Sequence, residues 1–430
     1  MVRKLTAAAA LATLAASCAP ETQTPVKVRA LVRSSNGEYV PQEVELKTVT
    51  DIVSLEGQVV RLLGGANVRL DANDPELQAA TTEEALQAAI VKKEGRPVTA
   101  SYIADDKGVL WPADFHTWNL VTTYYNFERA YDYFRTVAEV KAEELPRTTA
   151  YYFPDFVLAE ASDKPQRDNA IFFAPAKAFL VLPFEKIEQA PLAINASILA
   201  HEYAHLVFNR RAYGGRGVPE PIGAWSATGG TPTPGLNVLK SLDEGLADFH
   251  AYGASCQSAF GCSTRLLETS FEGTVAEDRD LSKNWCMSRS LREQLLYSNF
   301  ATFSGREYQV GTILASALYK SARSPADRQV LLRAVAATYS DTDPAKPGFA
   351  QLARAYLGEQ QRFTLARAVR AIVQHIPRGN TALKDAVCTN FRSHLQIPVE
   401  ELSGVQDGTS TQDDCPASTP VTSACESINP

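Results

Sequence analysis

The chain has 430 residues, 45% of them hydrophobic and 21% charged, the proportions of a water-soluble globular protein with material for two or three core-forming units. Its 42 Lys and Arg stand against 49 Asp and Glu, a formal charge of −7 with no basic block, so nucleic acid is not an expected partner. Beyond the first residues, no segment is long and apolar enough to span a bilayer.

The opening MVRKLTAAAALATLAASCAP joins a basic start, a short apolar run and small residues before Cys18. It resembles a bacterial lipoprotein signal, although Ala15 stands where such signals carry Leu and Leu14 lies one position earlier. The resemblance implies removal of residues 1–17, a lipid on Cys18 and a polar tether over 18–25. The chain is then held on a membrane facing the periplasm or cell surface; the alternative is an ordinary signal and free secretion. The six other cysteines are Cys256, Cys262, Cys286, Cys388, Cys415 and Cys425. An even number in an exported chain points to disulfides, with fifteen possible connectivities. Proximity favours Cys256–Cys262 and Cys415–Cys425, leaving Cys286–Cys388 as a long-range link. The absence of a CxxC pair argues against a thiolate zinc ribbon.

Residues 26–110 alternate in short stretches such as VKVRALV and GQVVRLL, broken by Gly, Asn and Asp, and predict a β-rich region with one helix near TTEEALQAAI (81–90). A second region, 111–400, opens on a long aromatic amphipathic helix, NLVTTYYNFERAYDYFRTVAEV. DNAIFFAPAKAFLVLPF (168–184) reads as strands with a turn at Pro175-Ala176. An apolar helix follows around 198–208, then a Gly/Pro-rich loop over 209–235, then a helix from about Leu242. The remainder to about 397 shows helical periodicity. Residues 401–430 read as an exposed polar tail closed by a local disulfide.

The helix ILAHEYAHLVF places three polar groups, His201, Glu202 and His205, in an apolar setting where each is costly unless paired. His201 and His205, four apart, lie on one helical face and can aim ring nitrogens at a single ion, while Glu202, turned about 100° away, is placed as a general base. A catalytic zinc takes three protein ligands and keeps one open position. SLDEGLADFHAY (241–252) offers Glu244 as the third ligand. Four residues on, Asp248 can accept the second ring N–H of His201, and Asp243 can serve His205 likewise.

HEYAHLVFNRRAYGG resembles the fungalysin-like zinc peptidases at His201, Glu202, Tyr203, His205, Asn209, Arg210, Gly214 and Gly215, and DEGLADF resembles their EGWSDF at Glu244, Gly245, Asp248 and Phe249. The thermolysin-like enzymes share the layout more distantly. DNAIFFAP is similar to the edge strand whose Asn-Ala pair, here Asn169 and Ala170, binds substrate backbone. GTILASALYK (311–320) resembles a further helix of these families, spread in islands over 111–375. The resemblance implies an α+β, two-lobed zincin: a β-rich N-terminal lobe, a mainly helical C-terminal lobe, and the active-site helix between them. It also implies a zinc endopeptidase acting on a protein or peptide substrate, with one catalytic Zn2+.

Three departures stand out. The stretch between His205 and Glu244 is lengthened by a Gly/Pro-rich insertion, expected on the rim of the cleft. The His that normally donates to the oxyanion is replaced, in the corresponding place, by Tyr308, whose phenol can donate instead. About 85 residues precede the catalytic helix, enough for a β-rich lobe but short of the large propeptide of these families. A catalytically silent zinc-fold lipoprotein, acting in binding or adhesion, is the alternative function. His250, His116, His375 and His394 are expected as core or surface residues, Trp111, Trp118 and Tyr124-Tyr125 as core, and Arg210 as a solvated side chain or a partner for a substrate carboxylate. Calcium at LDANDPE (70–76) is conceivable but unsupported, because the segment is too short for an EF-hand loop.

Overall fold

In the computed structural model, the residues described are 25–34, 37–159, 162, 164–184, 191–227, 230–257, 261–266, 279–340, 343, 345–422 and 425–428. The signal segment 1–17, Cys18 and nearly all of the 18–25 tether lie outside them.

The fold is α+β: a strand-rich N-terminal region precedes a mainly helical C-terminal one. Alternation along Val26–Arg33 turns Val28, Ala30 and Val32 inward. This strand pairs antiparallel with Tyr39–Leu46, Val28 opposite Val44, and parallel with Leu110–Pro112; Tyr102–Ala104 completes a four-stranded sheet. A seven-stranded sheet has Ala170–Phe173 at one edge. It continues through Ala178–Val181, Thr148–Tyr152 and Val60–Gly64 to Glu56–Gly57 and Val49–Asp51, with Arg96–Pro97 also against Val60–Gly64. The edge hairpin turns through Ala174–Ala176, and Lys177 closes it in the left-handed region at φ 50°. The helix expected over 81–90 spans Glu83–Ile90, with Thr82 as its cap.

Asp114 opens the aromatic helix Phe115–Thr136 by accepting the Thr117 N–H at 2.9 Å. Its ring of Phe134 stacks on Tyr203, 5.7 Å away, and Tyr203 in turn lies 5.8 Å from Phe179 of the sheet. The tyrosine of HEYAH therefore fastens its helix, Ala196–Ala212, to both layers. Two residues from Tyr203 the chain has turned about 200°, so the histidines face the other way. Asn195 caps this helix, accepting from the N–H groups of Ser197 and Ile198.

Four expectations need correction. The helix carrying Glu244 begins at Pro234, not near Leu242, and runs to Ser255. Proline is well tolerated in a first turn, whose N–H groups have no intrahelical acceptor. For the same reason the Gly/Pro stretch is not all loop: it contains the short helix Glu220–Ser226, fixed by buried Trp225, whose indole N–H donates to Leu357 O at 2.8 Å.

The third correction concerns the C-terminal disulfides. Cys256–Cys262 forms as expected, but Cys286 bonds Cys425 and Cys388 bonds Cys415. Strand Glu426–Ile428 pairs in parallel with Trp285–Met287, which carries Cys425 to Cys286. Asp414, buried and held by Arg370 Nε at 3.0 Å and Gln374 Nε2 at 2.9 Å, docks Cys415 beside Cys388. The tail is thus stitched to the helical lobe rather than closed on itself. Trp111, expected in the core, is 38% exposed with Arg29 over its ring. Three disulfides are consistent with an extracytoplasmic, oxidising compartment. No helix among the described residues is long and apolar enough to cross a membrane.

Candidate metal centre

The two imidazoles meet as the i, i+4 spacing requires: His201 Nε2 and His205 Nε2 are 3.0 Å apart. Glu244 enters from the Pro234–Ser255 helix, its Oε2 3.4 Å from His201 Nε2 and 3.7 Å from His205 Nε2. Close helix crossing sets that approach. A Cβ on Gly245 would lie 2.5 Å from Gly311 O, so the Glu244 helix packs backbone to backbone against Arg306–Ser321, the helix that carries Tyr308.

Each histidine has a carboxylate behind it. His205 Nδ1 lies 2.7 Å from Asp243 Oδ1. His201 Nδ1 is 2.9 Å from Asp248 Oδ1, an ion-pair distance without the alignment of a hydrogen bond. Glu202 is held differently: its Oε2 accepts the N–H of Phe172, on the edge strand, at 2.6 Å, and its Oε1 is 4.0 Å from His201 Nε2.

His201, Glu202 and His205 form a group that could hold a metal ion. Among the acids, Glu244 fits the third ligand position better than Glu202. Its Oε2 is buried with no hydrogen-bond partner, an expensive state that a cation would relieve, whereas the Oε2 of Glu202 is already bonded. The separations also agree. Ligands about 2.0–2.1 Å from a tetrahedral ion lie roughly 3.4 Å from one another, and the observed edges are 3.0, 3.4 and 3.7 Å.

Electrostatics point the same way. Burial opposes charging His205, yet Asp243 and Glu244 hold its pKa well above the usual imidazole range. Burial likewise disfavours a charged Glu244, but His205 and His201 keep its carboxyl well below the usual range. Burial raises the Glu202 carboxyl. Carboxylates that stabilise positive charge on two imidazoles also favour a divalent cation between them.

Neither a family model nor a curated protein matches this chain.

These groups line a cleft of about 500 Å³. Asn169, Ala170 and Phe172 of the edge-strand segment form one wall, Val218, Pro219 and Ile222 of the insertion another, and Tyr308 stands on the rim. The Tyr308 hydroxyl is kept protonated chiefly by the Glu244 charge, with burial adding to it.

Sequence reasoning missed Arg279. It comes from a stretch without helical or strand periodicity, lines the cleft, donates to both oxygens of Asp248 and lies 3.9 Å from Glu244 Oε2. Its guanidinium sits 5.3 Å from the centroid of the Tyr308 ring. No local pattern could have singled it out, although a buried Asp248 facing a histidine implies a compensating cation.

The other candidates lie elsewhere. His250 is buried against Tyr133, with Nδ1 2.7 Å from its hydroxyl. His116 lies 3.1 Å from the Tyr152 hydroxyl, and His375 and His394 face backbone carbonyls. Arg210 is absent from the cleft lining. In LDANDPE, Asp74 is paired with Lys92 and Asp71 with Arg69.

Proposed function

We propose that this chain is a zinc-dependent endopeptidase of the fungalysin and thermolysin layout, acting on proteins outside the cytoplasm. The observation that carries the reading is the convergence of His201 Nε2, His205 Nε2 and a buried Glu244 Oε2 that accepts no hydrogen bond, beside Glu202. His201, His205 and Glu244 would hold the ion. Zinc supplies Lewis-acid polarisation and lowers the pKa of water to about 7.

The protein's own groups do the rest. Glu202, steadied through Oε2 by the Phe172 N–H, has Oε1 free to take a proton from the attacking water and deliver it to the leaving nitrogen. Tyr308 donates its hydroxyl to the oxyanion. Asp243 and Asp248 hold the two imidazoles in orientation, and Arg279 balances Asp248. The edge strand supports a polypeptide substrate. Ala170–Phe173 is the last strand of its sheet and lines the cleft, so an extended polypeptide can add to it beside Asn169 and Ala170. Membrane attachment through lipidated Cys18 belongs to the same proposal.

The test is hydrolysis of casein by the full chain after chelator treatment and again after zinc is restored. Activity is expected to vanish and return. In Glu202→Gln it is expected to fall by more than about a hundredfold with zinc still bound. Hydrolysis indifferent to chelator, or near-wild-type turnover by Glu202→Gln, contradicts the reading.

A further inference from the structure

Among the described residues, two cationic side chains of the Lys and Arg type reach the wall of the cleft, and they are in different states. Arg279 is engaged by Asp248 through both carboxylate oxygens. Lys240 is not engaged in this way. It precedes Glu244 by four residues on the same helix, so both side chains lie on one face. Its side chain is 29% exposed, and the nearest carboxylate oxygen among the described residues, Asp243 Oδ2, is 4.0 Å away, beyond hydrogen-bond range. The other oxygen of Asp243 is taken by His205. Glu307, an acid of the neighbouring helix that feels the charge of Lys240, makes no ion pair with it among the described residues.

An ammonium with three donors and no hydrogen bond among the described residues, set in a cleft, is placed to take an anionic group from whatever binds there. Resting on the peptidase reading, we propose that Lys240 is a specificity-determining residue that selects a carboxylate on the peptide substrate. Position limits which carboxylate. Four residues of helix rise about 6 Å, and a peptide advances about 3.3–3.6 Å per residue. The carboxylate therefore belongs to a residue one or two places from the scissile bond. It is either an Asp or Glu side chain, which fits endopeptidase action, or a free C-terminus, which would make the same metal site that of an exopeptidase. Apolar Val218 and Ile222 of the insertion line the same cleft, where the charge contrast is sharper than in open water.

The experiment measures peptide binding by fluorescence anisotropy to zinc-loaded, full-length Glu202→Gln, so that no turnover is needed. One arm compares Glu with Gln beside the central bond of C-terminally amidated peptides. The other compares free-acid with amidated ends in peptides that lack acidic residues. The expected result is a preference of about tenfold for the carboxylate in one arm. It should collapse towards one in Lys240→Met, persist in Lys240→Arg and reverse in Lys240→Glu. A preference unchanged in Lys240→Met, or absent from the start, overturns the proposal. So does weakened zinc binding in Lys240→Met with the preference intact, which would make Lys240 a support for Asp243 alone. Zinc-dependent casein hydrolysis without carboxylate preference defeats only the Lys240 assignment, whereas absence of both defeats the peptidase reading itself.

Discussion

His250 and His201 carry the same imidazole but not the same role, and the difference lies in their neighbours. His201 faces Glu244 and Asp248, whereas His250 is fully buried among Phe134, Phe249 and Tyr339, with Nε2 unpartnered. Burial, reinforced by Arg211, pushes the His250 pKa down to about 3. The folded chain therefore keeps it neutral while the unfolded chain protonates it below about pH 6.5. Stability from this residue is present above pH 6.5 and is lost as pH falls towards 3. Urea unfolding across that window should show a slope shallower by up to one proton in His250→Gln; an unchanged slope would remove the assignment. Tyr308 makes the second residue-scale prediction. Loss of one oxyanion donor removes about 3 kcal/mol of transition-state stabilisation, so Tyr308→Phe should turn over roughly a hundredfold more slowly with KM little altered. Full kcat in that variant would dismiss the phenol. At this scale much of the site was legible: His201, Glu202 and His205 follow from spacing on one helix, and Glu244 with Asp248 from an acid pair on the next. Arg279 was not, because its place depends on tertiary contact rather than on any period.

Between the elements, the contact that matters most is the crossing of the Glu244 helix over the Tyr308 helix. Gly245 and Gly311 meet there, and a Cβ on Gly311 would lie 2.8 Å from Gly245 N. Only glycine permits that approach, and it positions the third carboxylate and the phenol together. Gly311→Ala should destabilise the chain by about 1–3 kcal/mol, as overpacking does, and weaken metal binding by shifting Glu244. Circular-dichroism melts and zinc titration would check it, and wild-type values in both would refute the crossing argument. Periodicity revealed both helices but not their ends. Pro234 and Pro221 resemble loop until their positions in first turns are known, so the sequence pattern places the start of one helix late and leaves Glu220–Ser226 as coil. Strand 170–173 was legible as a strand, and its place at a sheet edge came from the resemblance, because an edge is a property of the whole sheet.

For the molecule as a whole, the cleft lies where the sheet edge, the HEYAH helix and the Glu244 helix come together, and each contributes a different kind of group: backbone, imidazole and carboxylate. The C-terminal disulfides illustrate what sequence proximity cannot supply. Cys415 and Cys425 are ten residues apart, yet parallel pairing of Glu426–Ile428 with Trp285–Met287 and the buried Asp414–Arg370 pair send them to different partners. The central claim, that three donors from two helices hold one divalent cation, is tested most directly by counting metal. Chelator-stripped full-length protein is dialysed against zinc, and the bound ion is measured by mass spectrometry. One equivalent per chain is expected for the wild type and for Glu202→Gln, with affinity more than about a hundredfold weaker in Glu244→Ala. A wild type that retains no zinc, or a Glu244→Ala variant that binds it undiminished, would contradict the account.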